Sequence, residues 1–243
     1  MAQRSRYLSD GQTFHDDRAE GGMWKDCPHP ALLNPLSGYA YFNDFHNFSE
    51  DEWTITVVSI GTGTSTVATT ARAGGMVRVN TAANEDDGGQ AQLDSISFAL
   101  PAAGSVWFEA SVDITDDVTQ SDAFVGLLAL DTSIIAGVPN NHVYFHKDDG
   151  DANWDFASDK AGTPTAVAAV GTAVVDTRTI LGFKWDGTSL TPYFDGVAGT
   201  AITTNIPTVA MSISLGYLNG AAAAQNEGMD VDWIRCVVLT DRT

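Results

Sequence analysis

The stretch VWFEASVDI at positions 106–114 decides the fold class. Val106, Phe108, Ala110, Val112 and Ile114 alternate strictly with Trp107, Glu109, Ser111 and Asp113, which is the period of a strand with one face in a core. Downstream, RTILGFKWDGTSLTPYFDG at 178–196 sets apolar runs on either side of Asp186-Gly187 and closes on Asp195-Gly196. These dipeptides supply the positive φ that tight hairpin turns need. Comparable short runs recur at 53–59, 65–71, 75–80, 90–99, 122–130, 142–147, 153–158, 209–218 and 229–240, separated by Gly, Asp, Asn and Ser. Helix signals are nearly absent, so the pattern predicts an all-β sandwich of two antiparallel sheets, a jelly roll. The Ala/Thr/Val/Gly stretch at 161–176 reads as an edge strand with a loose loop, and 219–226 as a surface loop.

Composition bounds the partners. The chain has 243 residues, of which 44% are apolar and 18% charged, enough to bury roughly 70–75% of the unfolded surface without staples. Lys and Arg number 12 against 31 Asp and Glu, for a net charge of −19. Residues 1–30 hold four basic and five acidic side chains, so nearly all of the excess sits in the remainder. Phosphate backbones and anionic lipid repel such a body, and neither nucleic acid nor membrane is expected as a partner. No apolar run approaches the ~18–20 residues of a membrane span, and no secretory leader is read at the start. Cys27 and Cys236 form no disulfide framework and read as two idle thiols, in keeping with synthesis in a reducing cytoplasm.

Residues 1–52 read differently from the rest. Prolines at 28, 30 and 35 oppose helix and central strand alike, while Tyr7, Phe14, Trp24, Tyr39, Tyr41, Phe42, Phe45 and Phe48 are too many rings for a solvated linker. The sequence therefore divides into an extended, irregular N-terminal arm at 1–52 and a β-sandwich at 53–243.

Three segments resemble the concanavalin A-like jelly rolls: the hairpin at 178–196 with its Trp185-Asp186-Gly187 turn, the closing strand GMDVDWIRCVVL at 228–239, and the strand beginning Trp107-Phe108-Glu109. That superfamily includes lectins, laminin-G-like modules and glycosidases of the laminarinase type. Its glycosidases carry Glu-x-Asp-x-x-Glu on one strand, because nucleophile and acid must flank one sugar bond about 5–5.5 Å apart. No such run is present here. Glu109 and Asp113 share a face but stand about 13 Å apart at strand rise, and Asp230 and Asp232 alternate with no glutamate behind them. In type and phrase the chain is also similar to tailed-phage head decoration, or cement, proteins.

Other constellations are weaker. Asp149, Asp151, Asn153 and Asp155 offer oxygen ligands at alternate positions, the chemistry Ca²⁺ wants, but they equally describe a solvated Asp/Gly turn, so no cofactor is expected beyond that Ca²⁺ option. His142 and His146 share one strand face about 13 Å apart, too far for one zinc ion, and read as exposed. Trp107 and Trp154 are candidates for stacking on a sugar, weighed against packing in a sandwich.

These readings lead to an expectation. The chain would be a non-enzymatic virion structural protein on the outer capsid surface, made in the host cytoplasm. It would clamp the major capsid protein and its own copies, as a homotrimer by the resemblance, through Arg4, Arg6, Tyr7, Phe14, Trp24, Tyr39 and Phe42. The alternatives are a carbohydrate-binding, lectin-like module using Trp107 or Trp154, and a tail or baseplate component.

Overall fold

A computed structural model describes residues 4–7, 13–16, 23, 24, 27, 36–60, 63–115, 117–220 and 228–241, with 4–7 and 13–16 as backbone. Two short strands pair near the start, β1 (Arg4–Tyr7) with β2 (Thr13–Asp16). Then follow β3 (Gly38–Asn43), β4 (Trp53–Val58), β5 (Thr66–Thr69), β6 (Val77–Asn80), β7 (Gly88–Leu93), β8 (Gly104–Thr115) and β9 (Ser121–Leu128). After a single 3₁₀ turn at Ile134–Ala136 come β10 (His142–Lys147), β11 (Asn153–Lys160), β12 (Thr163–Thr172), β13 (Thr179–Trp185), β14 (Leu190–Phe194), β15 (Val197–Ala198), β16 (Ser212–Asn219) and β17 (Gly228–Thr240). One sheet has seven strands in the order β12-β11-β10-β9-β16-β7-β4; the other has eight, β15-β14-β13-β8-β17-β6-β5 with β3 also on β17. The pairings that build these two sheets are antiparallel. Among the described residues no helix is long and apolar enough to cross a membrane.

The alternation in β8 sets the geometry. Its Val106, Phe108, Ala110, Val112 and Ile114 are all at most 2% exposed in the core, where Phe108 stacks on Phe183 of β13 with centroids 5.0 Å apart. The turn chemistry also holds: Asp195 and Gly196 have φ of 48° and 78° between β14 and β15, and Gly187 has φ of 92° between β13 and β14. The 161–176 stretch supplies β12, the edge strand of the seven-stranded sheet. The reading of 219–226 falls mostly outside the described residues; Asn219 ends β16.

The other face of β8 is more covered than a solvated strand face. Trp107 is 1% exposed, its indole N–H donating to Met23 O at 3.0 Å. Trp24 lies beside it, donating from Nε1 to Glu109 Oε2 at 2.9 Å while the Arg235 guanidinium sits 4.0 Å from its ring centroid. Arg235 also pairs with Glu109, so a carboxylate taken largely out of water is compensated by two donors. Within the segment read as an arm, Gly38–Asn43 pairs with β17, and Phe45 is fully buried against Trp53. A Cβ at Gly38 would come 2.3 Å from Val238 O, so the close approach of β3 to β17 needs glycine there. Cys27 and Cys236 are both buried, and neither forms a disulfide.

Candidate functional site

Antiparallel register arranges the outer face of the seven-stranded sheet in rows. One row holds Gln90, Gly216, Phe124, His146 and Asp155; the next holds Gln92, Ser214, Gly126, Tyr144 and Ala157. His142, Tyr144 and His146 project together from β10, with Tyr144 packed between the two imidazoles at 4.4 and 4.9 Å between centroids. The shared face was legible in the sequence, but the reading of both histidines as exposed needs correction. His142 is only 7% exposed, its Nδ1 within 3.0 Å of Pro139 O, and burial pushes its pKa below the ordinary value.

The cause is the segment between β9 and β10. Gln90 Nε2 donates to Asp131 O at 3.0 Å and Gln90 Oε1 accepts from Ile135 N at 2.9 Å. Gln92 does the same one row on, donating to Ala129 O at 3.1 Å and accepting from Asp131 N at 2.9 Å. Two buried amides thus act as surrogate backbone and hold the loop down, while Ile134 packs with Leu128, Tyr144 and Ala157. The middle of this face is filled by the chain itself.

The candidate Ca²⁺ ligands are not gathered around one point. Asp151 Oδ1 caps Asn153 N at 2.9 Å, Asn153 Oδ1 accepts from Thr172 Oγ1 at 2.7 Å, and Asp155 Oδ1 accepts from Ala169 N at 2.7 Å. Asp149 turns its backbone N–H onto Asp122 Oδ1 at 2.9 Å. The cation of this corner is Lys147, 1% exposed, whose ammonium donates to Ser121 O at 2.6 Å and Asp151 O at 2.7 Å. Burial lowers its pKa, against the nearby Asp122 and Asp149, which raise it.

The sugar-stacking candidates are also corrected. Trp154 is fully buried in the core, and Trp107 lies beneath Met23 and Trp24, so neither ring offers a free face. The lattice-contact candidates scatter. Arg4, Arg6 and Tyr7 lie on β1 and Phe14 on β2, with side chains outside the described residues. Trp24 packs on the eight-stranded sheet, Phe42 is 63% exposed, and Tyr39 turns inward against Phe98.

Tyr39 leads to a site the sequence did not disclose. Where β3 meets the β4–β7 edge of the other sheet, a groove of about 390 Å³ is lined by Tyr39, Tyr41, Phe98, Asp51, Glu52 and Asp94, among others. Trp53 pairs with Leu93, and Asp94 N donates to Glu52 O at 2.9 Å, so Glu52 and Asp94 stand opposite each other across one ladder. Residues so placed have Cβ atoms about 4.5–5.5 Å apart. Tyr41 O–H donates to Glu52 Oε1 at 3.2 Å and Thr54 Oγ1 donates to Asp94 Oδ1 at 2.6 Å, orienting both carboxylates. Burial, chiefly, holds the Tyr41 phenol well above its ordinary pKa, so it remains a donor. Tyr39 O–H donates to Ser97 O at 2.6 Å, fixing the opposite wall. The volume lies in the usual range of small-ligand sites.

Comparison with solved structures bears on the fold. The Bacillus licheniformis beta-glucanase superposes with a TM-score of 0.58 at 16% identity, over 81% of this chain and 97% of that one. An endo-1,3-beta-glucanase from Streptomyces sioyaensis gives 0.61 at 14%, over 82% and 95%. This is a concanavalin A-like jelly roll. A protein of unknown function from Shewanella oneidensis gives 0.59 at 13%, over 86% and 89%, so the same fold also occurs without an assigned activity. No protein-family model and no curated protein matches the sequence. At these identities the likeness establishes the fold alone, and function must come from the site.

The expectation of a non-enzymatic virion structural protein is overturned. Many of the matching structures, at 12–16% identity, are glucanases and lichenases and not virion proteins. The absence of Glu-x-Asp-x-x-Glu on one strand had argued against hydrolysis, yet a carboxylate pair can also be assembled from two strands, as at Glu52 and Asp94.

Proposed function

We propose that the chain is a carbohydrate-active jelly roll that binds a glycan in the groove between β3 and the β4–β7 edge and cleaves it with Glu52 and Asp94. The observation that carries this reading is the opposition of the two carboxylates across the β4–β7 ladder at a groove lined by Tyr39, Tyr41 and Phe98. Glycoside hydrolysis needs one carboxyl to protonate the departing oxygen and a second to attack the anomeric carbon or to activate water. A separation of about 5–5.5 Å favours attack and retention. The ladder sets the two side chains opposite each other, with Cβ atoms about 4.5–5.5 Å apart. Tyr41 and Thr54 hold one oxygen of each carboxylate and leave the other for substrate, while the half-buried rings of Tyr39 and Tyr41 give a pyranose ring an apolar wall.

The test is release of reducing ends from soluble mixed-linkage and 1,3-linked β-glucans, with binding followed in parallel. The wild-type chain is expected to bind and cleave, and Glu52→Gln and Asp94→Asn to bind without cleaving. Undiminished cleavage by both variants, or no binding of any glycan by the wild type, would contradict the proposal.

A further inference from the structure

Hydrolysis by a facing pair requires one carboxyl to carry a proton while the other stays ionised, and the hydrogen bonds around Glu52 and Asp94 distinguish the two. Phe45 N donates to Asn43 Oδ1 at 2.8 Å, so the other end of that amide, Nδ2, is turned to Tyr41 and donates to the phenol oxygen at 3.1 Å. Tyr41 has a single phenolic proton. With Asn43 donating to the oxygen, that proton is left for Glu52 Oε1 at 3.2 Å. Burial, before other causes, raises the phenol's pKa, so the proton stays on Tyr41. The ring is held against Trp53 and Phe98, with centroids 6.5 and 6.3 Å away. Glu52 thus faces a donor of fixed direction, a contact that is stronger to the carboxylate than to the neutral acid. Asp94 Oδ1 instead meets Thr54 Oγ1 at 2.6 Å, and a hydroxyl can donate to a carboxylate or accept from a carboxylic acid. The other titratable groups lining the groove are Asp51 and Tyr39, whose hydroxyl donates to Ser97 O. Where two carboxyls face each other, the proton settles on the one whose partner accepts it.

Resting on the glycan reading above, we infer that Glu52 acts as the carboxylate and Asp94 as the acid, and that Asn43 and Tyr41 are positioning residues that keep Glu52 ionised. In the reaction the glycosidic oxygen keeps its bonding electron pair and takes the Asp94 proton. Glu52 supplies the new pair at the anomeric carbon, either itself or through a water whose proton it takes. Where Glu52 bonds to the carbon, water then displaces it and returns a proton to Asp94.

The experiment has two arms. The first uses a dinitrophenyl glycoside of a β-glucan oligosaccharide, whose leaving group needs no proton, with azide added as a nucleophile that needs no base. Asp94→Asn is expected to recover to within about tenfold of wild type on it, while Glu52→Gln stays down by about 10³. The second arm is the pH profile of kcat/KM on soluble β-glucan. Tyr41→Phe keeps the ring and removes the donor. Asn43→Asp keeps the acceptor for Phe45 N and draws the phenolic proton away from Glu52. Both should raise the acidic limb, which reports Glu52, by about half a unit and leave the basic limb, which reports Asp94, in place. Rescue of Glu52→Gln, no rescue of Asp94→Asn, or an acidic limb unmoved in both Tyr41→Phe and Asn43→Asp would overturn the inference and leave the glycan reading standing. No cleavage of any β-glucan by the wild type would overturn both.

Discussion

The middle and the edge of the seven-stranded sheet make opposite use of the same backbone. In the middle, Gln90 and Gln92 turn their amides onto the loop after β9, and Ile134 closes over Tyr144, so that side chains facing outward by register end up dry. At the edge, Glu52 and Asp94 face each other just beyond the ends of β4 and β7, and both are exposed. Register decides which way a side chain points; the loop above it decides whether that side chain can meet a ligand.

The largest expected difference is catalytic. If the edge carries the chemistry, Glu52→Gln or Asp94→Asn lowers glycan hydrolysis by about 10²–10⁴, while His146→Ala, in the middle, changes it little. Initial rates on soluble β-glucan compare the two regions directly, and a larger loss from His146→Ala would reverse their roles.

Next comes stability. Gln90→Ala with Gln92→Ala strands the amides of Asp131 and Ile135 and the carbonyls of Ala129 and Asp131 beneath the loop, at about 1–3 kcal/mol for each glutamine. Urea unfolding should show a lowered midpoint with little change in slope. Asp94→Asn, on the open edge, should change the free energy of unfolding by less than about 0.5 kcal/mol.

Acid should separate the regions further. Burial holds His142 below its ordinary pKa, so the unfolded chain takes up a proton at higher pH than the folded one does. Stability owed to this residue is complete above the unfolded value near 6.5 and declines as pH falls from there through the folded value. His142→Asn should therefore lose less stability than wild type between pH of about 7 and 5, as measured by thermal unfolding across that range. An identical decline in both would mean that the middle of the sheet admits water.

The smallest effect expected is at the groove wall. Tyr39→Phe removes the hydroxyl that bonds Ser97 O and keeps the ring. It should weaken glycan binding by about 0.5–1.5 kcal/mol without altering turnover of bound substrate, a change in KM at constant kcat.

Much of the fold was legible because local rules and the native state agree. The alternation at 106–114 and the Asp-Gly turns at 186–187 and 195–196 all survive as strands and hairpin turns. What sequence could not supply was coverage. Trp107 sits on the face of β8 that alternation assigns to water, yet it is buried because Met23 and Trp24, from distant sequence, lie on it. Lys147, next to an Asp-rich turn in sequence, is buried and ties together the carbonyls of Ser121 and Asp151. The groove was hidden for the same reason. Tyr41 and Glu52 both fell in the supposed arm and Asp94 inside the run at 90–99; only the β4–β7 and β3–β17 pairings bring them together. A search for paired carboxylates along one strand could not find a pair made across two.

The most direct test of this account is a crystal structure of the chain with a bound β-glucan oligosaccharide. The account predicts a sugar ring in the groove with a carboxylate oxygen of Glu52 and of Asp94 on either side of a glycosidic bond. A saccharide seated instead on the outer face of β10, over Phe124 and His146, would contradict it.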